Sequence, residues 1–201
     1  MSTTQYNRSS ALTPLTRGIH HVALNTSDMK MTVDFYHNVL GMPLVQAFRI
    51  PAGIGLGSGN RDNPPYENLR HYFFDMGGDG LLAFFELPKE VSAVADRNSV
   101  AAMQHCSFAI SEAYFGEVQQ RLSAAGVPFI GPIEVGLDTL SVYFIDPNNI
   151  RLEFTCQRGD EDQIRVMPRW IQTADDIAEE LQTLTDDAAW LDRMTQHLAS
   201  S

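Results

Sequence analysis

Between Leu140 and Cys156 the chain reads LSVYFIDPNNIRLEFTC, two strand-like runs joined by a tight turn. Asp146-Pro147-Asn148-Asn149 supplies the polar, φ-tolerant residues that a chain reversal needs. In the second run Leu152, Phe154 and Cys156 alternate onto one face, and Arg151, Glu153 and Thr155 onto the other. A carboxylate between apolar neighbours near the middle of a strand calls for an ion pair or a bound group.

The same grammar runs through the rest of the chain. Residues 1–17 are polar and patternless and read as a flexible arm. Ile19–Asn25 alternates as a strand, with His20, Val22 and Leu24 on one face and His21, Ala23 and Asn25 on the other. Ser27 is placed to cap a helix whose apolar stripe is Met29, Val33, Tyr36 and Leu40, and Gly41 ends it. A strand over Pro43–Ile50 follows, then a long Gly- and Pro-rich loop over Pro51–Leu69, a length typical of functional rims. HYFFDM and LLAFFEL form a hairpin about Gly77-Gly78-Asp79-Gly80. After a linker, MQHCSFAI begins the pattern again with His105, Ser107 and Ala109 on one face. Ser111 caps a helix with the stripe Phe115, Val118 and Leu122, Gly126 ends it, and a strand around Val127–Ile130 leads to the closing hairpin. Gly41 follows His21 by 20 residues and Gly126 follows His105 by 21. Two copies of strand–helix–three strands make an internal repeat. Beyond them Thr173 and Asp176 match a helix cap, and Ile177, Leu181, Leu184, Ala188, Leu191 and Leu198 trace an apolar stripe broken near Thr185.

The repeat places His21 and His105 at matching points on the first strand of each copy, and Glu86 and Glu153 on the last. Approximate two-fold symmetry between the copies then brings two imidazoles and two carboxylates together. Such donors suit Fe(II), Mn, Zn, Ni or Co, and two histidines with one carboxylate and open positions suit non-haem Fe(II) in particular. His71, beside the long loop, is a candidate acid–base group. His20 points away from the His21 face, and His37 and His197 read as surface residues.

Composition narrows the function classes. The 201 residues suffice for one compact domain or two small modules. Formal net charge is −11, from 25 acidic and 14 basic residues, with much of the acid beyond residue 158. That disfavours nucleic-acid and anionic-membrane surfaces. No apolar run approaches the ~18 residues of a membrane span, and the first residues lack the basic and apolar regions of a signal peptide. Two cysteines are too few for a disulfide framework, and Cys106 and Cys156 both alternate onto apolar faces. A cytoplasmic protein with free thiols is expected.

The segments HHVALNTSDMKMTVDFYHNVLGM, LLAFFELP, HCSFAI and VYFIDPNNIRLEF resemble the vicinal oxygen chelate superfamily, which includes glyoxalase I, extradiol dioxygenases, methylmalonyl-CoA epimerase and the fosfomycin- and bleomycin-resistance proteins. The resemblance implies an α+β fold: paired βαβββ modules forming a curved mixed sheet around a metal site, with a C-terminal helical extension. The expected divisions are an arm over 1–17, a first module over 18–87, a linker over 88–102, a second module over 103–157 and an acidic helical tail over 158–201. By the same resemblance His21, His105 and Glu153 fall on shared metal positions, and Glu86 on the further position used by glyoxalase-type members. Tyr143, ten residues before Glu153, meets the spacing of the extradiol active-site tyrosine. Glu134 stands where those enzymes carry a histidine, and Asn25 where glyoxalase I carries a glutathione-binding arginine. The implied activity is that of a mononuclear divalent-metal enzyme on a small molecule with vicinal oxygens. An extradiol, catechol-cleaving dioxygenase using Fe(II) and O2 is the first expectation. The alternatives are a glyoxalase-like lyase, isomerase or epimerase, with Glu86 as a further ligand and Glu86 or Glu153 as proton shuttle, and a non-enzymatic drug-binding protein. A homodimer is expected.

Overall fold

The computed structural model describes residues 18–50, 68–91, 96–100, 102–136, 138–159 and 172–195. The expected arm, the long loop as far as residue 67 and Leu198 lie outside these residues. Two compact units are distinguished, Gly18–Arg165 and the segments Met1–Arg17 with Val166–Ser201.

In the larger unit the first module is β1 (His21–Thr26), α1 (Met29–Val33), β2 (Leu44–Arg49), β3 (Arg70–Asp75) and β4 (Leu81–Glu86). α1 widens into π-type turns over Asp34–Val39, closed by the Leu40 N–H donating to the Phe35 carbonyl. The second module is β5 (Cys106–Ala109), α2 (Glu112–Ala124), β6 (Phe129–Glu134), β7 (Thr139–Ile145) and β8 (Arg151–Gln157). Each module forms its own four-stranded sheet, in the orders β1-β4-β3-β2 and β5-β8-β7-β6. The first and last strands of each module run parallel and the other pairs antiparallel. The expected α+β fold and βαβββ repeat are thus present. Among the described residues no strand of one sheet pairs with a strand of the other.

Local chemistry explains the boundaries. Asp28, one residue beyond the expected Ser27, is the cap of α1, its carboxylate accepting from the Met31 N–H at 2.9 Å. Ser111 holds the cap position of α2, but its hydroxyl makes no cap bond. Gly41 and Gly126 end the two helical segments at φ +74° and +69°, a left-handed conformation that costs glycine nothing. In the smaller unit α3 (Ala174–Gln182) and α4 (Ala188–Thr195) flank the expected break at Thr185. The Thr173 hydroxyl accepts from the Asp176 N–H, as the capping pattern requires. Among the described residues no helix is long and apolar enough to cross a membrane.

Strand alternation decides what each sheet buries. Val22, Leu24 and Thr26 turn inward from β1, while His21, Ala23 and Asn25 are exposed. β5 repeats this, with Cys106 and Phe108 inward and His105, Ser107 and Ala109 exposed. The inward faces and both helices share one core, in which Phe35 of the first module meets Phe144 of the second at 6.4 Å between ring centroids. The polar faces of the two sheets therefore lie on the sides away from that common core.

A buried polar network crosses between the modules at the β7–β8 turn. The Asp146 carboxylate accepts from the Asn148 N–H at 2.9 Å, the Ile150 N–H at 2.7 Å and the Tyr36 hydroxyl at 2.8 Å. The Thr26 hydroxyl donates to Asn148 Oδ1 at 2.7 Å, Asn148 Nδ2 donates to Thr32 Oγ1 at 3.2 Å, and the Thr32 hydroxyl donates to Thr26 Oγ1 at 2.8 Å. Asn149 closes the turn at φ +64°, which asparagine tolerates. Asn148→Ala leaves Thr26 and Thr32, both buried, short of a partner. It should lower unfolding free energy by about 1–3 kcal/mol, read from urea denaturation; a change within error would show that the network does not hold the modules.

Candidate metal centre

β5, β7 and β8 place one half of the expected donor set. Register sets Ser107 and Tyr143 on either side of Glu153, and Ser141 opposite Thr155. Paired residues share a face, so His105, Ser107, Ser141, Tyr143, Arg151, Glu153 and Thr155 all lie on the outer face of the second sheet. His105 Nε2 is 3.1 Å from Glu153 Oε2. Nδ1 of the same ring hydrogen-bonds Gln104 Oε1. The Gln104 oxygen at Nδ1 orients the ring and turns Nε2 toward Glu153, the nitrogen that a metal ion shared with that carboxylate would take.

Glu153 is buried at its carboxylate, with 6% of the residue exposed. Burial draws its pKa up, but hydroxyls of Ser141, Tyr143, Thr155 and Ser107 donate to it and hold it below the ordinary value. It is therefore an anion at neutral pH. Burial, followed by the hydrogen bond and charge of Glu153, raises the Tyr143 pKa, so the phenol keeps its proton. The Tyr143 and His105 rings meet edge-on at 6.0 Å, and the Arg151 guanidinium lies 4.8 Å above the Tyr143 ring.

The outer face of the first sheet carries His21 among aromatic rings. His71 stacks on Phe85 at 3.8 Å and packs beside Phe73 at 4.3 Å and Phe48 at 5.5 Å. His21 meets Phe73 at 5.8 Å, and its Nδ1 is 2.9 Å from that of His20. His71 is 9% exposed, and its Nε2 has no hydrogen-bond partner. Burial first, then the charge of His21, lowers its pKa to about 4.

Glu86 is not on this face, contrary to the expectation that it joins the ligands. It pairs with Thr26 in register and shares the inward side with Leu82 and Phe84. Its carboxylate accepts from the Met29 N–H at 2.9 Å, at the start of α1, and from Arg70. It borders a cavity of about 340 Å³ together with Arg49, Arg70 and Lys89. The registers explain the difference. Ser107, two residues after His105, pairs with Glu153, whereas Ala23, two residues after His21, pairs with Ala83. The hairpins agree, since Tyr143 pairs with Glu153 and Phe73 with Ala83. The counterpart of Glu153 is therefore Ala83, and an offset of three residues reverses the face of Glu86.

Within one chain, then, His105 and Glu153 come together with Tyr143 beside them, while His21 and His71 lie on the other sheet. Among the described residues no three His, Cys, Asp or Glu side chains form a metal-binding group. The donor chemistry of His105 and Glu153 fits a divalent ion that takes a further ligand from elsewhere. The hydroxyls of Ser141 and Thr155, the Gln104 bond and the Arg151 stack were not singled out from the sequence. Alternation signalled the shared faces of Ser107 with His105 and of Thr155 with Glu153, but not which strands adjoin.

A family model described as the Glyoxalase/Bleomycin resistance protein/Dioxygenase superfamily matches residues 18–154. The chain belongs to that superfamily. Over 89 residues it is 34% identical to the putative ring-cleaving dioxygenase MhqA of Bacillus subtilis (strain 168), a match covering 43% of this chain and 24% of that protein. The chain thus spans about a quarter of the curated relative it matches. Solved superfamily structures share the fold at low identity. A glyoxalase/bleomycin resistance protein/dioxygenase domain from Frankia sp. EAN1pec has a TM-score of 0.55 at 20% identity, covering 70% of this chain and 98% of its own. The fosfomycin resistance protein FosX from Listeria monocytogenes has a TM-score of 0.51 at 16% identity, covering 78% and 100%.

His71 generates a pH prediction. Its folded pKa of about 4 lies below the ordinary 6.5. Across that window the unfolded chain takes up a proton that the folded chain refuses, so stability falls as pH drops from 6.5 to about 4 and this contribution then levels off. NMR titration should find the His71 ring neutral at pH 5.5, and His71→Phe should flatten part of the acid limb of a stability profile. A ring that titrates near 6.5 refutes the burial argument.

Proposed function

We propose that this protein is a mononuclear divalent-metal enzyme whose site is completed between two copies of the chain, His21 from one copy joining His105 and Glu153 from the other. The reaction this arrangement suits best is ring cleavage of a catechol-type substrate by O2. The observation that carries the reading is Ala83 at the register position matching Glu153. Three protein donors, not four, leave open positions for a ligand with two adjacent oxygens and for O2. The Phe48, Phe73 and Phe85 rings on the His21 face suit a planar aromatic ligand, and the similarity to a putative ring-cleaving dioxygenase points the same way. The glyoxalase-like reading is less favoured, because Glu86, its further ligand, is engaged by Met29 and Arg70 on the other side of its sheet, leaving Glu153 as its proton shuttle.

A metal bound there supplies a Lewis acid that lowers the pKa of a bound hydroxyl and, as Fe(II), the chemistry of O2; Mn, Ni, Co or Zn suit the same donors. The protein's residues do the rest. Glu153 enters as an anion; the exposed His21 is the first residue of β1, and the exposed His105 directly precedes β5. Tyr143 holds a proton to donate to a substrate oxygen as negative charge grows there. His71, neutral and unbonded at Nε2, is placed to accept one from the His21 side.

Elemental analysis after chelator-free purification should give one divalent ion per chain, and absence of metal even after anaerobic Fe(II) loading would favour the binding-protein alternative. A mixing experiment tests the shared site. His21→Ala and Glu153→Ala should each lose the metal alone. In their mixed dimer one site receives both substitutions and the other is intact, so refolding the two together restores metal to about one quarter of the wild-type level per chain when the copies assort freely. No restoration would place the whole site within one chain.

Tyr143→Phe should lower kcat by about 10²–10³ with little change in substrate affinity, the usual cost of losing a donor to a developing oxyanion. Steady-state kinetics on catechols checks this; a near-wild-type kcat would leave Tyr143 a packing residue.

A further inference from the structure

Arg151 is a cation on the same sheet face as the paired donors. Lys30, Arg70, Arg121 and Arg158 each pair with a carboxylate of Asp34, Glu86, Glu117 and Glu134 respectively. Arg151, like Arg49, Lys89, Arg97 and Arg193, forms no such ion pair among the described residues, but it alone of these lies on the outer face beside His105 and Glu153. Its guanidinium lies over the Tyr143 ring at 4.8 Å instead. A cation–π contact of this kind uses no N–H acceptor, and no hydrogen bond from the Arg151 guanidinium is found among the described residues, so its N–H fork is available to a carboxylate. Arg151 also precedes Glu153 by two residues on the same strand, so both project from the outer face that carries His105 and Tyr143.

We propose that Arg151 recognises an anionic substituent of the substrate, so that this site takes a carboxylate-bearing molecule whose pair of adjacent oxygens lies next to His105 and Glu153. This rests on the metal-site reading above and adds to it the substrate class. A neutral ring with vicinal oxygens satisfies the metal and Tyr143 but leaves the guanidinium edge unused. A carboxylated one satisfies all three. The anion also supplies the charge that Arg151 lacks on this face, where the nearest carboxylate, Glu153, is enclosed by hydroxyls. Burying the charged pair under the second copy's sheet would strengthen it relative to water.

The test uses full-length protein loaded with Zn(II), which is redox-inert, so that binding is read without turnover. Titration calorimetry compares 2,3-dihydroxybenzoate with catechol on wild type, Arg151→Gln and Arg151→Lys, with zinc content measured on each. Wild type should bind the carboxylated compound at least about 10-fold more tightly, the value of one charge-assisted hydrogen bond. Arg151→Gln should bring the two compounds to within about 2–3-fold while keeping its zinc and its affinity for catechol. Arg151→Lys, which keeps the charge and loses the fork, should fall between. Equal affinities in wild type, no binding of either compound, or a preference that survives in Arg151→Gln would each overturn the proposal. Oxygen uptake by the Fe(II)-loaded protein is recorded separately. Failure there with the anion preference intact would remove the dioxygenase reading and leave the role of Arg151 standing.

Discussion

The structure depends on what the β7–β8 turn holds. Asp146 is 3% exposed and accepts from two backbone N–H groups of its own turn and from Tyr36 on the helix of the other module. Tyr36 is fully buried between Phe74 and Phe84, so its hydroxyl has nowhere else to go. Burial raises the pKa of both groups, and that shared penalty is offset only while they remain bonded to each other and to Asn148. An apolar core alone tolerates sliding of one module over the other. A closed ring of hydroxyl and amide bonds through Thr26, Thr32 and Asn148 does not, because each slip strands a buried donor. This is the constraint that turns both inward faces onto one core and leaves both histidine faces pointing away from it.

That orientation sets the candidate donors of one chain on two separate faces. A module that buries its helix side must present its other side elsewhere, and here both such sides carry the chemistry. Exposed Ile130 and Ile145 lie on the second sheet's outer face and exposed Phe48 on the first. Apolar side chains in that position beside titratable groups are what a covering surface would bury. The first sheet's face is aromatic and holds a neutral histidine, whereas the second holds an anion, a phenol and a guanidinium. The two faces differ in character and complement each other, which is what supports the proposed pairing of two copies.

Much of this was legible in the sequence, and the boundary between what was and was not is physical. Alternation is local, so the faces of His21, His105 and Glu153 and the inward thiols of Cys106 and Cys156 could be read directly. Glycines at +74° and +69° marked both helix ends, and Thr173 marked the start of the tail helix. What alternation cannot give is the register between strands far apart in the chain. Glu86 matched Glu153 by its place near the end of a similar strand, yet a parallel ladder from His21 to Leu81 puts Ala83 at the true counterpart. An odd offset moves a side chain through the sheet, and Glu86 became a helix cap and an ion-pair partner. Asp146 was read as a turn residue, which it is, but its bond to Tyr36 spans 110 positions and no local pattern announces it.

The loss of Glu86 sharpens the chemistry by removing charge. With Ala83 in the corresponding place, β4 contributes no carboxylate beside His21; the carboxylate on that face is Asp75 at the end of β3, which accepts from the Gly77 N–H, and His71 is kept neutral by burial. In the proposed pairing Glu153 would be the carboxylate of the donor set, set against the cation of Arg151 on its own face. A divalent ion held by one carboxylate and two neutral imidazoles retains a net positive charge. It therefore attracts a ligand that binds as an anion through its oxygens, which a four-donor set with two carboxylates would neutralise. On the proposed shared site, alanine rather than glutamate at this one register position would set both the number of open positions and the charge that fills them.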